Sequence, residues 1–454
     1  MANIKEKKTN QKYDPIRAAA VESLLLIDAG DQTDTAIARV VGNRRLRPID
    51  RRFILQLVNG TTKMRRRLDH EIKFYLAKPS MQLSEKLTTI LRLGFYQLHF
   101  TDRIPAAAAV SESVNLATQM IDRSRGNLVN AVMRASLREP NRIKFVDKQE
   151  HPVRHLADFY SFPIYFVQYA VGEFGIEQAE KMLKTFNAPP QVTYRVNFLK
   201  AKPDEVANIL QKNGVEFSYG KYLPEFIHIE ESGLPLQHEL IDTGKVFVQD
   251  ESAGLAVRLL NPRPNSSVID LTSAPGGKAT YAAIRMRNKG RVTAIDKSHQ
   301  RLKLVQENAQ RLGIKIISPV ACDMMQFTGG QYNRVMLDPP CSGWGTAGKN
   351  SDLRWSKTEE DITNLAHIQT NMIDRAAKMV KPGGVLVYST CTIIRQENDQ
   401  VIEEFLLQNK EFEIDSALPY FDKELVSERG FVKTYPGFDT MDGSFCARLK
   451  RKLR

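Results

Sequence analysis

The sequence predicts an α/β Rossmann-like domain at the carboxyl end, preceded by an all-α helical domain and a small α+β subdomain. Three observations predict it. From Val246 onward, apolar runs of strand length alternate with helical patterns, as a doubly wound parallel sheet requires. From about Pro15 to Glu139, apolar residues recur only at helical spacing. Between the two, prolines punctuate a stretch of mixed pattern. The expected boundaries are 1–13 for a disordered basic tail, 14–140 for the helical domain, 141–245 for a connector and subdomain, and 246–454 for the α/β domain.

In the helical domain, Val21, Leu24, Leu25 and Asp28 start one amphipathic face, and Phe53, Ile54, Leu57 and Val58 make another. Leu87, Ile90, Leu91 and Phe95, then Val110, Val114, Leu116 and Ala117, continue the pattern. Asp50 reads as an N-cap and Pro105 as a helix start. Pro140, Pro152, Pro163, Pro189 and Pro190 then mark a connector. A strand-like Gln191–Leu199 leads to a helix over Lys202–Asn213 and to strand-like pieces around Phe217 and at Phe226–Ile229. In the α/β domain, strands are expected at Val268–Leu271, Arg291–Ile295, Lys315–Val320, Arg334–Leu337 and Val385–Ser389. Helices are expected at Lys278–Arg287, His299–Leu312 and Glu359–Met379. Pro382-Gly383-Gly384 reads as a turn that stops the last helix, and a strand around Phe445–Leu449 is expected to add at one edge.

A chain of 454 residues exceeds one ordinary domain, and 42% apolar residues suffice for packed cores, which excludes global disorder. The lysine-rich start carries no signal-peptide pattern, and no apolar stretch reaches about 18 residues. A cytoplasmic, membrane-free monomer is expected. The four cysteines, Cys322, Cys341, Cys391 and Cys446, form no CxxC pair and no zinc ligand set, so no metal is expected. Cys322 and Cys446 read as core thiols. The net charge is +13, and residues 1–140 hold 24 Lys+Arg against 14 Asp+Glu. Between Arg39 and Arg67 lie ten basic residues and one acid, Asp50, a concentration that favours a polyanion such as nucleic acid.

Two cysteines carry the most chemistry. Cys341 follows Val335-Met336-Leu337-Asp338-Pro339-Pro340, and Cys391 follows Val385-Leu386-Val387-Tyr388-Ser389-Thr390. Each closes a predicted strand, and so reaches the carboxyl edge of the sheet, where open α/β folds keep their ligands. Two thiols at one edge suggest a reaction that makes and then breaks a covalent bond to substrate. Asp270 to Lys278 joins the first strand to the first helix through Ser273-Ala274-Pro275-Gly276-Gly277. Glycines there let the backbone approach a ligand, and the helix N-terminus offers free N–H groups. The loop matches neither a Walker loop nor the GxGxxG pattern. Asp296, ending the second strand, could accept both hydroxyls of a ribose, and Asp323, after the third, an adenine amino group. An adenosine ligand without phosphates fits, with S-adenosylmethionine as the leading choice. The expected cofactor set is Ser273, Ala274, Pro275, Gly276, Gly277, Lys278, Asp296, Asp323 and Asp338. Trp344, Arg354 and Trp355 follow the Pro-Cys loop and could stack on a base held out of its helix, with core packing an equal reading for either tryptophan. His299 and His367 read as helix-surface residues.

Two resemblances sharpen this reading. Asp50-Arg51-Arg52, Gly60, Leu91-Arg92-Leu93, Ile104-Pro105 and Asn127 to Arg134 resemble the NusB-type RNA-binding helical domain over most of residues 15–140. The Pro-Gly-Gly-Lys loop, Asp338 to Thr346, Tyr388 to Thr392 and Gln396-Glu397-Asn398 match in order the motifs of the Sun family of RNA cytosine-C5 methyltransferases. That likeness runs from about Val246 to Arg454. The two-part chain resembles the bacterial enzymes that methylate 16S rRNA. It departs from the pattern at Thr272-Ser273, where Cys-Ala is usual, and at Ala347-Gly348-Lys349, where an Arg is frequent.

The resemblance implies a covalent mechanism. Carbon 5 of cytosine is a weak nucleophile, and a thiolate added to carbon 6 turns the ring into an enamine that can take a methyl group. A free cysteine is only a few per cent thiolate at neutral pH, so the site must activate it, with Lys278 as a source of positive charge and Asp338 as the group for ring N3. Spacing does not decide which cysteine attacks. The DNA cytosine methyltransferases point to a Pro-Cys thiol, here Cys341; the closer RNA family implies that Cys391 attacks and Cys341 assists product release. A tRNA cytosine-C5 methyltransferase and a non-catalytic RNA-binding assembly protein are the competing readings. DNA methylation is a weaker third.

Overall fold

The structure, a computed structural model, describes residues 13–42, 44–229 and 235–453. The basic tail expected over 1–13 therefore lies outside the described residues apart from Tyr13. The chain divides into two compact units. One comprises the residues up to Asn187 together with Asn350–Ser356, and the other Ala188–Lys349 and Lys357–Arg454.

The first unit is helical, with helices at Pro15–Asp28, Thr33–Val41, Pro48–Lys63, Arg65–Tyr75, Glu85–His99, Ala106–Met120 and Arg123–Arg138. The apolar stripes read from the sequence meet in one core, where Val21, Ile54, Leu57, Val58, Leu91, Phe95 and Val129 are fully buried. Burying each such side chain contributes roughly 1.5–3 kcal/mol, so packing rather than intrinsic propensity holds these helices. Asp14 caps the first helix, accepting from Ile16 N at 2.8 Å, and Asp122 caps the Arg123–Arg138 helix, accepting from Arg125 N at 2.8 Å. Asp50 is not a cap. Pro48, preset to helical φ, opens its helix and Arg47 stands at the N-cap. Asp50 falls in the first turn and accepts from Arg47 Nε at 2.9 Å. Gly60 is required by close packing, because a Cβ there would lie 1.9 Å from the Tyr96 ring.

The proline-marked connector contains helices the sequence reading missed, at Pro152–Tyr160, Ile164–Phe174 and Ile176–Asn187. Pro152 occupies a first-turn position and Pro163 an N-cap, so two prolines read as breaks are helix openers. Segment 350–356 is also part of this unit. Arg354 is fully buried, its guanidinium 3.9 Å from the Phe162 ring centroid. It donates to Phe186 O at 3.0 Å and Asn187 Oδ1 at 2.7 Å, while Trp355 Nε1 donates to Thr62 O at 2.6 Å.

The second unit holds two sheets. Strands β1 (Val192–Val196), β2 (Phe217–Tyr219), β3 (Phe226–Ile229) and β4 (Val246–Val248) form an antiparallel sheet in the order β2-β3-β1-β4. The larger sheet is built from β5 (Ser267–Asp270), β6 (Arg291–Asp296), β7 (Ile317–Ala321), β8 (Tyr332–Leu337), β9 (Val380–Thr390), β10 (Phe412–Ile414), β11 (Val432–Thr434) and β12 (Ser444–Arg451). Its order is β10-β12-β9-β8-β5-β6-β7, with β11 also on β12. Strands β5 to β9 are parallel, and β10, β11 and β12 pair antiparallel. The chain runs outward from β5 to β6 and β7 on one side and returns as β8 and β9 on the other. The topological switch point therefore lies between β5 and β8, where ligands of such sheets bind.

Two strand expectations need correction. Pro382-Gly383-Gly384 does not turn the chain after a helix: the helix ends at Ala377 and β9 already starts at Val380. The three residues bulge out within that strand, since Tyr332 pairs with Val380 but Arg334 with Val385. The carboxy-terminal strand β12 is not an edge, because β10 and β11 cover its outer side.

Candidate active site

The carboxyl ends of β5, β8 and β9 bring the expected residues together. Asp338, leaving β8, shares its carboxylate between Lys278 Nζ on Oδ2 and Ser389 Oγ on Oδ1 at 3.3 Å. Burial works against the Lys278 charge, but the Asp338 carboxylate outweighs it and holds the ammonium above its ordinary pKa, with Cys391 and Asp270 adding to the effect. Cys341 and Cys391 face each other with sulfurs 3.4 Å apart. Cys391 is exposed and Cys341 half-buried. The Cys341 thiol is raised well above its ordinary pKa, first by Cys391 beside it, then by burial, then by the carboxylates of Glu397 and Asp338.

The other two thiols stand apart. Cys446 is buried on β12, and burial pushes it up to about 12. Cys322 is only half-buried rather than a core thiol, its Sγ donating to Asp323 O at 3.2 Å.

The glycine loop forms the other wall. Gly276 has φ +102°, a conformation only glycine adopts readily, and the helix Gly277–Arg285 starts directly after it. Asp296 is buried at the end of β6, where Oδ2 accepts from Ala274 N at 3.2 Å and Oδ1 from Ser298 N at 2.9 Å. Asp323 is exposed beyond β7, with Oδ1 accepting from Met325 N at 2.9 Å. Asp270 was not singled out from the sequence. It is buried, and burial raises its carboxyl to about 7, with Lys278 pulling the other way.

This cleft fits the methionine and adenosine parts of S-adenosylmethionine. Asp270 Oδ2 and Ser273 Oγ are buried with no hydrogen-bond partner beyond each other, beside a helix N-terminus suited to a carboxylate. An acceptor and a hydroxyl left so await a polar ligand.

Arg195 on β1 was likewise missed. It is fully buried and donates to Gly277 O at 2.5 Å and Thr280 Oγ1 at 3.0 Å, fastening the small sheet to the helix behind the glycine loop. Glu397 and Asn398 were noticed as a motif without a role; both are buried beside the two thiols. The base-stacking idea for Trp344, Arg354 and Trp355 fails. Trp344 and Arg354 are fully buried, and the Trp355 indole is tied to the helical unit. His299 and His367 are exposed on helices. Among the described residues, no group of three His, Cys, Asp or Glu side chains could hold a metal ion, and no helix is long and apolar enough to cross a membrane.

A parallel sheet of this order, with a glycine loop and buried carboxylates at its switch point, defines a Rossmann-like methyltransferase. Comparison with known proteins narrows the class. Residues 257–450 match the family model described as 16S rRNA methyltransferase RsmB/F, residues 14–138 the NusB family, and residues 162–235 the ferredoxin-like domain of RsmF/B-like methyltransferases. The chain is 32% identical over 450 residues to the probable ribosomal RNA small subunit methyltransferase B of Bacillus subtilis, covering 97% of this chain and all of that protein. It is 29% identical over 444 residues to ribosomal RNA small subunit methyltransferase B of Vibrio vulnificus, covering 96% and 99%. The crystal structure of PH0851 superposes with a TM-score of 0.77 at 25% identity, covering 98% of this chain and all of that one. The fold also matches NSun6 from Pyrococcus horikoshii, solved with SFG, at a TM-score of 0.57 and 24% identity, over 65% of this chain and all of that one. The chain belongs to the ribosomal RNA small subunit methyltransferase B family, S-adenosylmethionine-dependent enzymes that methylate rRNA.

Proposed function

We propose that the protein transfers a methyl group from S-adenosylmethionine to carbon 5 of a cytosine in 16S rRNA, through a covalent adduct between Cys391 and carbon 6. The observation that carries this reading is the pair of thiols 3.4 Å apart beside the Lys278–Asp338 pair. The exposure of Cys391 and the upward shift of the Cys341 thiol favour Cys391 as the attacking group.

The Cys391 thiolate adds to carbon 6 and pushes an electron pair to carbon 5. Asp338 is assigned to ring N3, where stabilising a proton draws charge from the ring and promotes addition. Lys278 steadies the negative charge of Asp338 and of the thiolate. Asp270, Ser273 to Lys278, Asp296 and Asp323 would hold S-adenosylmethionine, whose sulfonium would supply the methyl that carbon 5 takes with this electron pair, leaving the thioether S-adenosylhomocysteine. Loss of the carbon 5 proton to a base and cleavage of the carbon 6–sulfur bond restore the aromatic ring, with Cys341 assisting release.

In this reading the helical domain binds RNA. Its exposed arginines, Arg45, Arg47, Arg51 and Arg52, line one surface stretch and suit phosphates. The enzyme acts in the cytoplasm as a monomer and needs no metal.

The test is methyl transfer from labelled S-adenosylmethionine to protein-free 16S rRNA, followed by digestion to nucleosides. Label in 5-methylcytidine, lost in Cys391→Ala, supports the reading. Label confined to tRNA would overturn the substrate. Loss in Cys341→Ala with full activity in Cys391→Ala would exchange the thiol roles. RNA binding without transfer to any RNA would favour a non-catalytic assembly protein.

A further inference from the structure

The chain segments that carry the two thiols are gripped on both flanks by three buried side chains that touch neither sulfur through a hydrogen bond. Glu397, in the turn after β9, accepts from Ser342 N at 2.8 Å on Oε2 and from Ser342 Oγ on Oε1. Ser342 Oγ also lies 2.8 Å from Thr392 Oγ1, so the residues that follow Cys341 and Cys391 are joined to each other. Asn398 accepts from Thr390 Oγ1 at 2.6 Å and donates to Thr392 O at 2.9 Å, bracketing Cys391. Gln369 Nε2 donates to Pro340 O and to Glu397 Oε2, each at 2.9 Å, and so holds the residue before Cys341. The Glu397 backbone is itself fixed, its carbonyl accepting from Tyr388 OH at 2.6 Å.

We propose that Glu397, aided by Asn398 and Gln369, is a positioning residue that sets the separation of the Cys341 and Cys391 sulfurs. Three facts argue for this over simple packing. Glu397 and Gln369 are fully buried and Asn398 nearly so, where polar side chains are costly unless bonded, and of their side-chain oxygens and nitrogens Gln369 Oε1 is the one left without a partner. Their bonds converge on the four residues flanking the thiols rather than on the sheet at large. The Ser342–Thr392 contact they support joins the two loops directly, one residue from each sulfur. Reacting groups must be held to about 0.5 Å, and a 1 Å misplacement can cost roughly 100-fold in rate. The role rests on the two-thiol reaction proposed above, in which Cys391 adds to the base and Cys341 helps it leave.

Glu397→Ala unties Ser342, and the separation should widen. Glu397→Gln should rescue: its carbonyl oxygen can accept from Ser342 N and Gln369, and its amide can donate to Ser342 Oγ. Two measurements are made on the full chain. The first uses phenylarsine oxide, which binds two neighbouring thiols with loss of one water and needs no RNA. The second is turnover on 16S rRNA, with protein trapped covalently on RNA read on a denaturing gel.

The expected result for Glu397→Ala is ~10-fold weaker arsenical capture, kcat lower by ~30-fold with KM for S-adenosylmethionine within about twofold, and accumulated adduct. Glu397→Gln should recover most of each. Should Glu397→Ala fail to fold, Ser342→Ala removes only the linking hydroxyl and should show the same pattern at smaller size. Unchanged arsenical capture in a folded Glu397→Ala, or an equal rise in KM with no change in kcat, would overturn the proposal. Weaker capture without adduct accumulation would keep the clasp and retire the release step assigned to Cys341.

Discussion

The Thr272 side chain and the Asp338 main chain are joined twice across the switch point. Thr272 Oγ1 donates to Asp338 O at 2.8 Å and accepts from Asp338 N at 3.2 Å. The Thr272 hydroxyl thereby ties the β5 loop to the β8 loop. Thr272→Val keeps the shape and removes both bonds, leaving a half-buried N–H without a partner at a cost of ~1–3 kcal/mol. The expected outcome is KM for S-adenosylmethionine raised ~10-fold, with Thr272→Ser near wild type. Steady-state kinetics with both substrates varied would check it; an unchanged KM would mean the two loops hold without this link.

Lys278 pairs with Asp338, and its charge is coupled to Cys391. Lys278→Met should lower kcat/KM by ~100-fold or more, because the half-buried Asp338 carboxylate and a developing thiolate lose their shared counter-charge. A retained alkylation rate at Cys391 in this variant would show that the ammonium does not activate the thiol.

Asp270 makes stability depend on pH. Its carboxyl is raised to about 7 by burial, so the folded chain holds that proton more tightly than the unfolded one. The stabilisation from this group is complete below the usual carboxylate pKa of about 4 and is lost as pH rises through about 7. Asp270→Asn, neutral throughout, should melt close to wild type at acidic pH and above it at alkaline pH when no cofactor is bound. Thermal melts of both proteins across that window decide the matter, and a constant gap would show that Asp270 ionises normally.

The arginines of the helical unit should carry salt-dependent affinity. Removing one arginine–phosphate pair should reduce the slope of log affinity against log salt by about 0.7–0.9. Arg45→Ala, Arg47→Ala and Arg51→Ala combined should therefore flatten the slope by about two, as read by filter binding of an rRNA fragment at several salt concentrations. A parallel shift without a change of slope would place the phosphate-binding residues elsewhere.

Arg354 is structural. Replacing it with Ala should cost ~2–4 kcal/mol, since the carbonyls of Phe186 and other residues lose a fully buried donor. Arg354→Lys should recover only part of this, because an ammonium cannot reproduce the planar fork over Phe162. Guanidinium denaturation would measure both.

Much of this was legible because local chemistry and tertiary structure agree. The helix His299–Leu312 has the bounds the sequence predicts, since Ser298 caps it and Gly313, at φ +75°, ends it. The carboxyl-edge thiols and the glycine loop were legible because strand length and punctuation fix where side chains emerge. Other features depend on partners far along the chain. Pro382-Gly383-Gly384 has turn chemistry, yet pairing with β8 draws it into a strand. Arg354 reads as a base-stacking residue because nothing nearby in sequence announces Phe162 and Asn187. Glu397 sits in a visible motif, but its grip on Ser342 spans 55 residues. Asp270 opens the glycine-loop motif without a role of its own in the sequence; its burial reveals it.

The excursion of Asn350–Ser356 into the helical unit makes the chain cross between units three times rather than once. A fragment beginning at Ala188 would carry Arg354 and Trp355 as a stranded plug with no socket. A single protease cut after Asn187 would nick the protein without releasing two pieces.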